Sequence, residues 1–111
     1  MRSLYPAKIR KAVDALLTQP AISTPSLRRA IEAYAARLSG GAREAQEIPA
    51  ELTDYVGKVT LHAYKVTDQD VQGLQAAGYS EDSIFEITLC ATVGASLARL
   101  ECGLQALKGD R

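Results

Sequence analysis

Tryptophan is absent from this chain and phenylalanine occurs once, so aromatics make up only 5% of its 111 residues. A core built on packed rings is excluded. What remains is Leu, Ile, Val and Ala, a composition that favours packed helices over a sheet sandwich. Cysteine is nearly as scarce, and two residues, Cys90 and Cys102, make no disulfide framework. Placed on one helix they stand about 18 Å apart at ~1.5 Å per residue, beyond the reach of a disulfide, and both read as small core residues. Histidine occurs once, and without a second His or a Cys beside it His62 makes no zinc site. No phosphate-cradling glycine loop and no G-x-S-x-G elbow is present. No cofactor and no metal is therefore expected.

Long hydrophobic runs are missing too. No stretch reaches the ~18 consecutive apolar residues of a membrane span, and the opening Met1-Arg2-Ser3-Leu4-Tyr5-Pro6 has no apolar segment of signal-peptide type. The expectation is a cytoplasmic protein without a membrane partner. With an apolar share of 47% and a charged share of 23%, the chain belongs with ordinary globular proteins rather than disordered ones. Its length fits one domain, residues 1–111, able to bury about two thirds of the surface exposed when unfolded.

Net charge is also absent, with 13 basic and 13 acidic residues, but the two signs are segregated. Through Arg43 there are eight basic residues against Asp14 and Glu32, a net of +6, and the remainder carries −6. A basic arm for nucleic acid is one reading. Electrostatic complementarity between the two halves, or between subunits, is the other and the favoured one, because the acidic counterpart lies in the same chain.

Proline and glycine punctuate five helices. Pro6 suits the first turn of a helix carrying Ile9, Val13, Leu16 and Leu17, which Pro20 ends. Thr24-Pro25 caps and opens a second helix with Leu27, Ile31, Tyr34 and Leu38 on one face, stopped by Gly40-Gly41. These two form a basic helical hairpin over 1–43. The core, 49–108, starts near Pro49 with a third helix bearing Leu52, Val56, Val59, Ala63 and Val66. Thr67 caps a short fourth helix that turns Val71 and Leu74 inward and ends at Gly78. Ser80 caps the fifth, whose first turn carries Glu81 and Asp82.

From Ile87 to Ala98 the fifth helix has only Thr88, Thr92 and Ser96 as polar side chains, so it is expected to be buried all round. Ala91, Gly94, Ala95, Ala98 and Cys102 form a small-residue ridge. Leu89, Val93, Leu97, Leu100, Leu104 and Leu107 form a bulky one. So small a domain has too few helices to wrap both ridges, and a second copy docked on this helix is the economical explanation.

The candidate chemistry lies on the third helix. Glu51, Tyr55, Lys58 and His62 fall at i, i+4, i+7 and i+11, an acid, a phenol, an amine and an imidazole along one edge. Such a stripe can bind an anion or move a proton, and it is also what an ordinary boundary between core and solvent looks like. His62 lies too far from Glu51 along the helix to touch it. Asp70, at the start of the next helix, can return to it, so His62 with Asp70 or Tyr55 is the expected closest polar pair. On the other side, Gly57, Leu61 and Tyr64 mark an expected helix–helix contact.

The run Val66-Thr67-Asp68-Gln69-Asp70-Val71, then Leu74-Gln75-Ala76-Ala77-Gly78-Tyr79-Ser80-Glu81-Asp82-Ser83-Ile84, resembles the carboxymuconolactone decarboxylase and alkylhydroperoxidase D-like superfamily: a helix, an A-G-[LYF]-S turn, and a long apolar helix. The resemblance spans Glu51 to Leu107 and implies an all-α, alkylhydroperoxidase D-like fold and a homo-oligomer. Active members carry C-x-x-C-x-x-x-H before the turn and a glutamate upstream. Those positions fall here on Ala63, Val66, Asp70 and Glu51, so only the glutamate is kept. Without the thiols there is neither nucleophile nor resolving partner for peroxide reduction. The resemblance is thus to the peroxidase-related branch lacking the redox pair. It leaves Glu51, His62 and Asp70 as candidate acid–base residues for decarboxylase-like chemistry on a small molecule, with a non-catalytic small-molecule-binding or accessory subunit as the alternative.

Overall fold

The computed structural model describes residues 7–109. Along them run α1 (Ala7–Thr18), α2 (Pro25–Leu38), α3 (Ala50–Leu61), a single 3-10 turn (Ala63–Lys65), α4 (Asp68–Ala76) and α5 (Glu81–Leu107). The fold is all-α, with no strand among the described residues and a C-terminal helix of 27 residues. Pro6, expected in the first turn of the first helix, lies outside the described residues.

Local chemistry sets most of the boundaries. The Thr24 hydroxyl accepts the Leu27 N–H with Pro25 in the first turn of α2, and Ser80 does the same for Ser83 at α5. Thr67 and Asp70 cap α4 reciprocally, each side chain accepting the other's backbone N–H. Gly40 (φ +88°) and Gly78 (φ +105°) turn the chain out of α2 and α4 in a backbone region that disfavours any Cβ.

The core gathers Val13 and Leu17 of α1, Ile31 and Ala35 of α2, Leu52, Tyr55 and Val56 of α3, Leu74 of α4, and Ile84, Ile87, Cys90 and Leu97 of α5. The closest approach within it is between α5 and α2. A methyl group built at Gly94 would collide with the Glu32 carbonyl oxygen and lie 3.2 Å from the Ala36 nitrogen, and one at Gly41 would lie 2.8 Å from the Ala98 Cβ. The small ridge Ala91, Gly94, Ala95 and Ala98 is thus used inside the chain, against the backbone of α2, and all four are buried. Cys102, expected on the same buried ridge, is exposed one turn beyond it.

Within the chain α5 is buried in part. Phe85 is 67% exposed, Leu89 37%, Leu100 40% and Leu107 85%. With α2 against one side and α3 against the next, no described element covers the remaining arc. By length and composition α5 could cross a membrane, and half of its most apolar window is buried in this fold.

The segregated charges meet in the interior. Arg43, in the segment after α2, bonds both oxygens of Glu101 through Nη1 (3.1 and 3.3 Å) and Glu32 through Nη2 (3.2 Å). Glu101 is fully buried and Glu32 nearly so, which makes the arrangement costly to break by removing one partner, about 3–5 kcal/mol. Arg28, also buried, donates to the Leu16 and Gln19 carbonyls at the end of α1. Glu86 of α5 accepts from the Ile22 N–H (3.1 Å), the Ser23 N–H (2.8 Å) and the Ser23 hydroxyl (2.5 Å), pinning the α1–α2 connection.

Helix α3 ends earlier than its apolar spacing implies. His62 leaves helical geometry (φ −144°, ψ 54°) and Val66 is extended, so Ala63 and Val66 do not continue the stripe. The Thr67–Asp70 capping box requires an extended residue before α4, and Lys58 reaches Asp70 at 2.8 Å, holding the start of α4 beside α3. The chain thus turns between His62 and Thr67 and brings α4 back against α3. Gly57 has no neighbour within 4 Å of a would-be Cβ, and Leu61 and Tyr64 are 47% and 81% exposed. The contact expected of these three is not made within the chain.

The two glycines therefore predict opposite outcomes. Gly94→Ala is expected to overpack the α2–α5 crossing and destabilise the fold by about 1–3 kcal/mol or more, read as a lowered urea midpoint. Gly57→Ala, in helical backbone with open space around it, is expected to stabilise by up to about 1 kcal/mol.

Candidate functional site

Glu51, Tyr55 and Lys58 are held by α3, but each points to a different partner. Glu51, in the first turn, accepts the Tyr79 hydroxyl at 2.8 Å. Its own backbone N–H and the Tyr79 bond hold its carboxyl below the usual range. Desolvation and the same bond push the Tyr79 phenol up to about 12. Tyr55 is buried and its hydroxyl lies 2.6 Å from the Thr88 hydroxyl on α5. Lys58 pairs with Asp70. The second Asp70 oxygen accepts from the Thr67 N–H (2.9 Å) and hydroxyl (3.2 Å). The Lys58 bond first, then the Thr67 backbone bond, lower the Asp70 pKa.

The expected pairing of His62 with Asp70 or Tyr55 is not found. His62 caps the C-terminal end of α3, exposed, its ring edge-on to Tyr64 with centroids 6.1 Å apart. The early end of α3 is the cause, since it carries the imidazole off the edge shared by Glu51, Tyr55 and Lys58.

Glu51 and Asp70 do line one shallow cavity of about 210 Å³, together with Asp54, Tyr55, Gln69 and Leu74. His62 is not part of its lining. Each of the two carboxylates is already committed, Glu51 to Tyr79 and Asp70 to Lys58 and Thr67. Both are held ionised, so neither is poised to give up a proton near neutral pH. They work as ties, Asp70 between α3 and α4 and Glu51 between α3 and the connection into α5.

A second concavity, of about 430 Å³, runs between α3 and α5 and is lined by Tyr55, Val59, Ala63, Val66, Thr88, Thr92, Ala95, Ser96 and Arg99. The positions at which the resemblance would put cysteines, Ala63 and Val66, sit on its wall as a methyl and an isopropyl group. Arg99 Nη2 donates to the Thr60 carbonyl at 2.8 Å, satisfying an orphan acceptor in the last turn of α3. A third, wider cleft of about 810 Å³ lies between α2 and the segment after it, with Glu32 and Arg43 among its lining residues.

The two thiols lie in different surroundings. Cys90 is buried, and desolvation pushes it up to about 11, with Arg28 pulling the other way. Cys102 is exposed near the far end of α5, its sulfur 3.8 Å from the Gly40 carbonyl. No group of three His, Cys, Asp or Glu side chains suited to a metal occurs among the described residues.

Sequence reasoning missed the Glu32–Arg43–Glu101 cluster and the Arg99 groove. Glu101 left a legible signal, an acid amid the leucines and small residues of an apolar helix, which requires a partner. Nothing local marks Arg43 as that partner, because the contact spans 58 residues of chain. No family model, no curated protein and no solved structure matches the chain.

Two measurements test these placements. In the native protein one thiol, Cys102, is expected to react with a thiol reagent near neutral pH, and both in denaturant. Replacing Cys102 with Ser then leaves the native protein unreactive. Because the folded Asp70 pKa is lowered, its contribution to stability is present above the ordinary carboxylate range and is lost as pH falls through the lowered value. Asp70→Asn is expected to flatten that acid limb in unfolding curves from neutral to acidic pH.

Proposed function

We propose that the chain is a self-associating, alkylhydroperoxidase D-like subunit that acts by binding a small molecule, without thiol chemistry. The observation that carries the self-association is the uncovered arc of α5, where Phe85, Leu89, Leu100 and Leu107 stand exposed opposite the side buried against α2. Fully burying an exposed side chain of this kind is worth about 1.5–3 kcal/mol, most of it available at Phe85 and Leu107 and a smaller part at the half-covered Leu89 and Leu100. Charge favours an antiparallel pairing of the two helices. The exposed Glu81 and Asp82 at one end of α5 would then face the exposed Lys108 at the other end of the partner helix. Support for the family reading comes from the α4–Gly78–Ser80–α5 arrangement, a short helix, a left-handed glycine and a capped long apolar helix.

Binding is preferred to catalysis because Glu51 and Asp70 are engaged in ties, His62 stands apart from them, and the thiol positions hold Ala63 and Val66. The basic first half is partly consumed internally, Arg28 on α1 and Arg43 on Glu32 and Glu101, which favours complementarity within the protein over a nucleic-acid arm.

Light scattering at micromolar concentration is expected to give a dimer or higher oligomer. Leu89→Glu combined with Leu100→Glu is expected to yield a folded monomer, with helical circular dichroism unchanged. A wild-type monomer that binds no apolar dye would refute the proposal. So would an oligomer indifferent to both substitutions.

A further inference from the structure

We infer that the groove between α3 and α5 is a binding site for a small monocarboxylate with an apolar body, its carboxylate held by Arg99 and Ser96. Arg99 is the one charged residue among those lining the groove, so the lining carries a positive charge and no acid. The guanidinium is oriented by the Nη2 bond to the Thr60 carbonyl at 2.8 Å. That bond uses one of the five N–H donors of an arginine and leaves the others for a ligand.

The hydroxyls of the groove divide by what they have left to offer. Thr88 donates to the Ile84 carbonyl (2.7 Å) and Thr92 to the Thr88 carbonyl (2.8 Å), each one turn back along α5. With its own hydrogen so used, Thr88 accepts from Tyr55 at 2.6 Å. The donors of these three side chains are spent. Ser96 makes no such bond within the described residues. It stands three positions before Arg99, on the same face of α5. The uncommitted donors therefore concentrate at one end of the groove, where an anion would meet a guanidinium and a hydroxyl side by side.

The rest of the lining is apolar. Val59 and Val66 are half-buried and Ala95 is buried, so a ligand body placed there would meet methyl groups. The volume, about 430 Å³, is that of a small-molecule site. One arginine with one hydroxyl matches a monoanion, and a carboxylate meets the guanidinium fork in bidentate geometry. A phosphate dianion would leave charge unanswered. This site shares no residue with the cavity holding Glu51 and Asp70 except Tyr55, and it does not rest on self-association.

The test uses the full chain, labelled with nitrogen-15, and two probes of matched shape, octanoate and octanamide, in amide-resolved NMR titrations. Octanoate is expected to shift the amides of Val59, Thr92, Ser96 and Arg99, and to bind about tenfold or more tighter than octanamide. Arg99→Gln is expected to erase that preference, Arg99→Lys to retain part of it, and Glu51→Gln to leave it unchanged. Equal binding of the two probes by the wild type would overturn the inference. Shifts confined to Phe85 and Leu89, an Arg99→Gln preference like the wild type's, or no shift at millimolar octanoate would each do the same. If Arg99→Gln does not fold, the comparison of probes on the wild type still decides, and Ser96→Ala, expected to weaken octanoate several-fold, provides the second variant.

Discussion

The fold depends on how closely α5 can approach α2. At Gly94 the two backbones come near enough that a single methyl group would strike the Glu32 carbonyl. The alanines on both helices, Ala35 and Ala36 on one and Ala91, Ala95 and Ala98 on the other, extend that contact as a surface of small residues, all buried. Close approach has an electrostatic consequence. It brings Glu32 and Glu101 near enough to share Arg43, so a buried charge cluster sits beside the tightest contact of the core. Buried carboxylates without a cation are strongly unfavourable, and the segment after α2 has to return over them to supply it.

Using the small side of α5 internally leaves its other side to be settled differently. The leucines and Phe85 on the open arc lie next to the hydroxyl-bearing strip, Thr92 and Ser96, that borders the α3–α5 groove. One helix thus carries three surfaces around its circumference: a small-residue seam for α2, a polar-edged groove with α3, and an apolar strip open to a second copy. The two proposed surfaces meet at Ser96, which lies two turns after Leu89 and one turn before Leu100. The groove has Arg99 as its only charged lining residue, whereas Glu51 and Asp70 line a separate cavity and are already bonded.

Much of the architecture was legible in the residues. The five helices, the caps at Thr24, Thr67 and Ser80, and the turns at Gly40 and Gly78 follow from local backbone and side-chain chemistry, which acts over a few residues. The candidate stripe on α3 was less legible. Apolar spacing alone ran the helix through Val66, whereas the backbone leaves helical geometry at His62 and turns back into α4. That difference moves His62 away from Asp70 and decides which groups share a cavity.

Composition and local pattern by themselves determined that the chain is helical, that its last helix is long and apolar, and that it carries no thiol pair beside the turn before that helix. Only the tertiary structure decided which residues of α5 are buried: the small ridge admits the backbone of α2, and of the bulky one Leu97 joins the core while Leu89, Leu100 and Leu107 stay exposed. It also decided that Arg43 answers Glu32 and Glu101 and that Arg99 stands over a groove without an acid. Such pairings join residues far apart in the chain, and their energies depend on distance and burial in three dimensions, which no spacing along the sequence encodes.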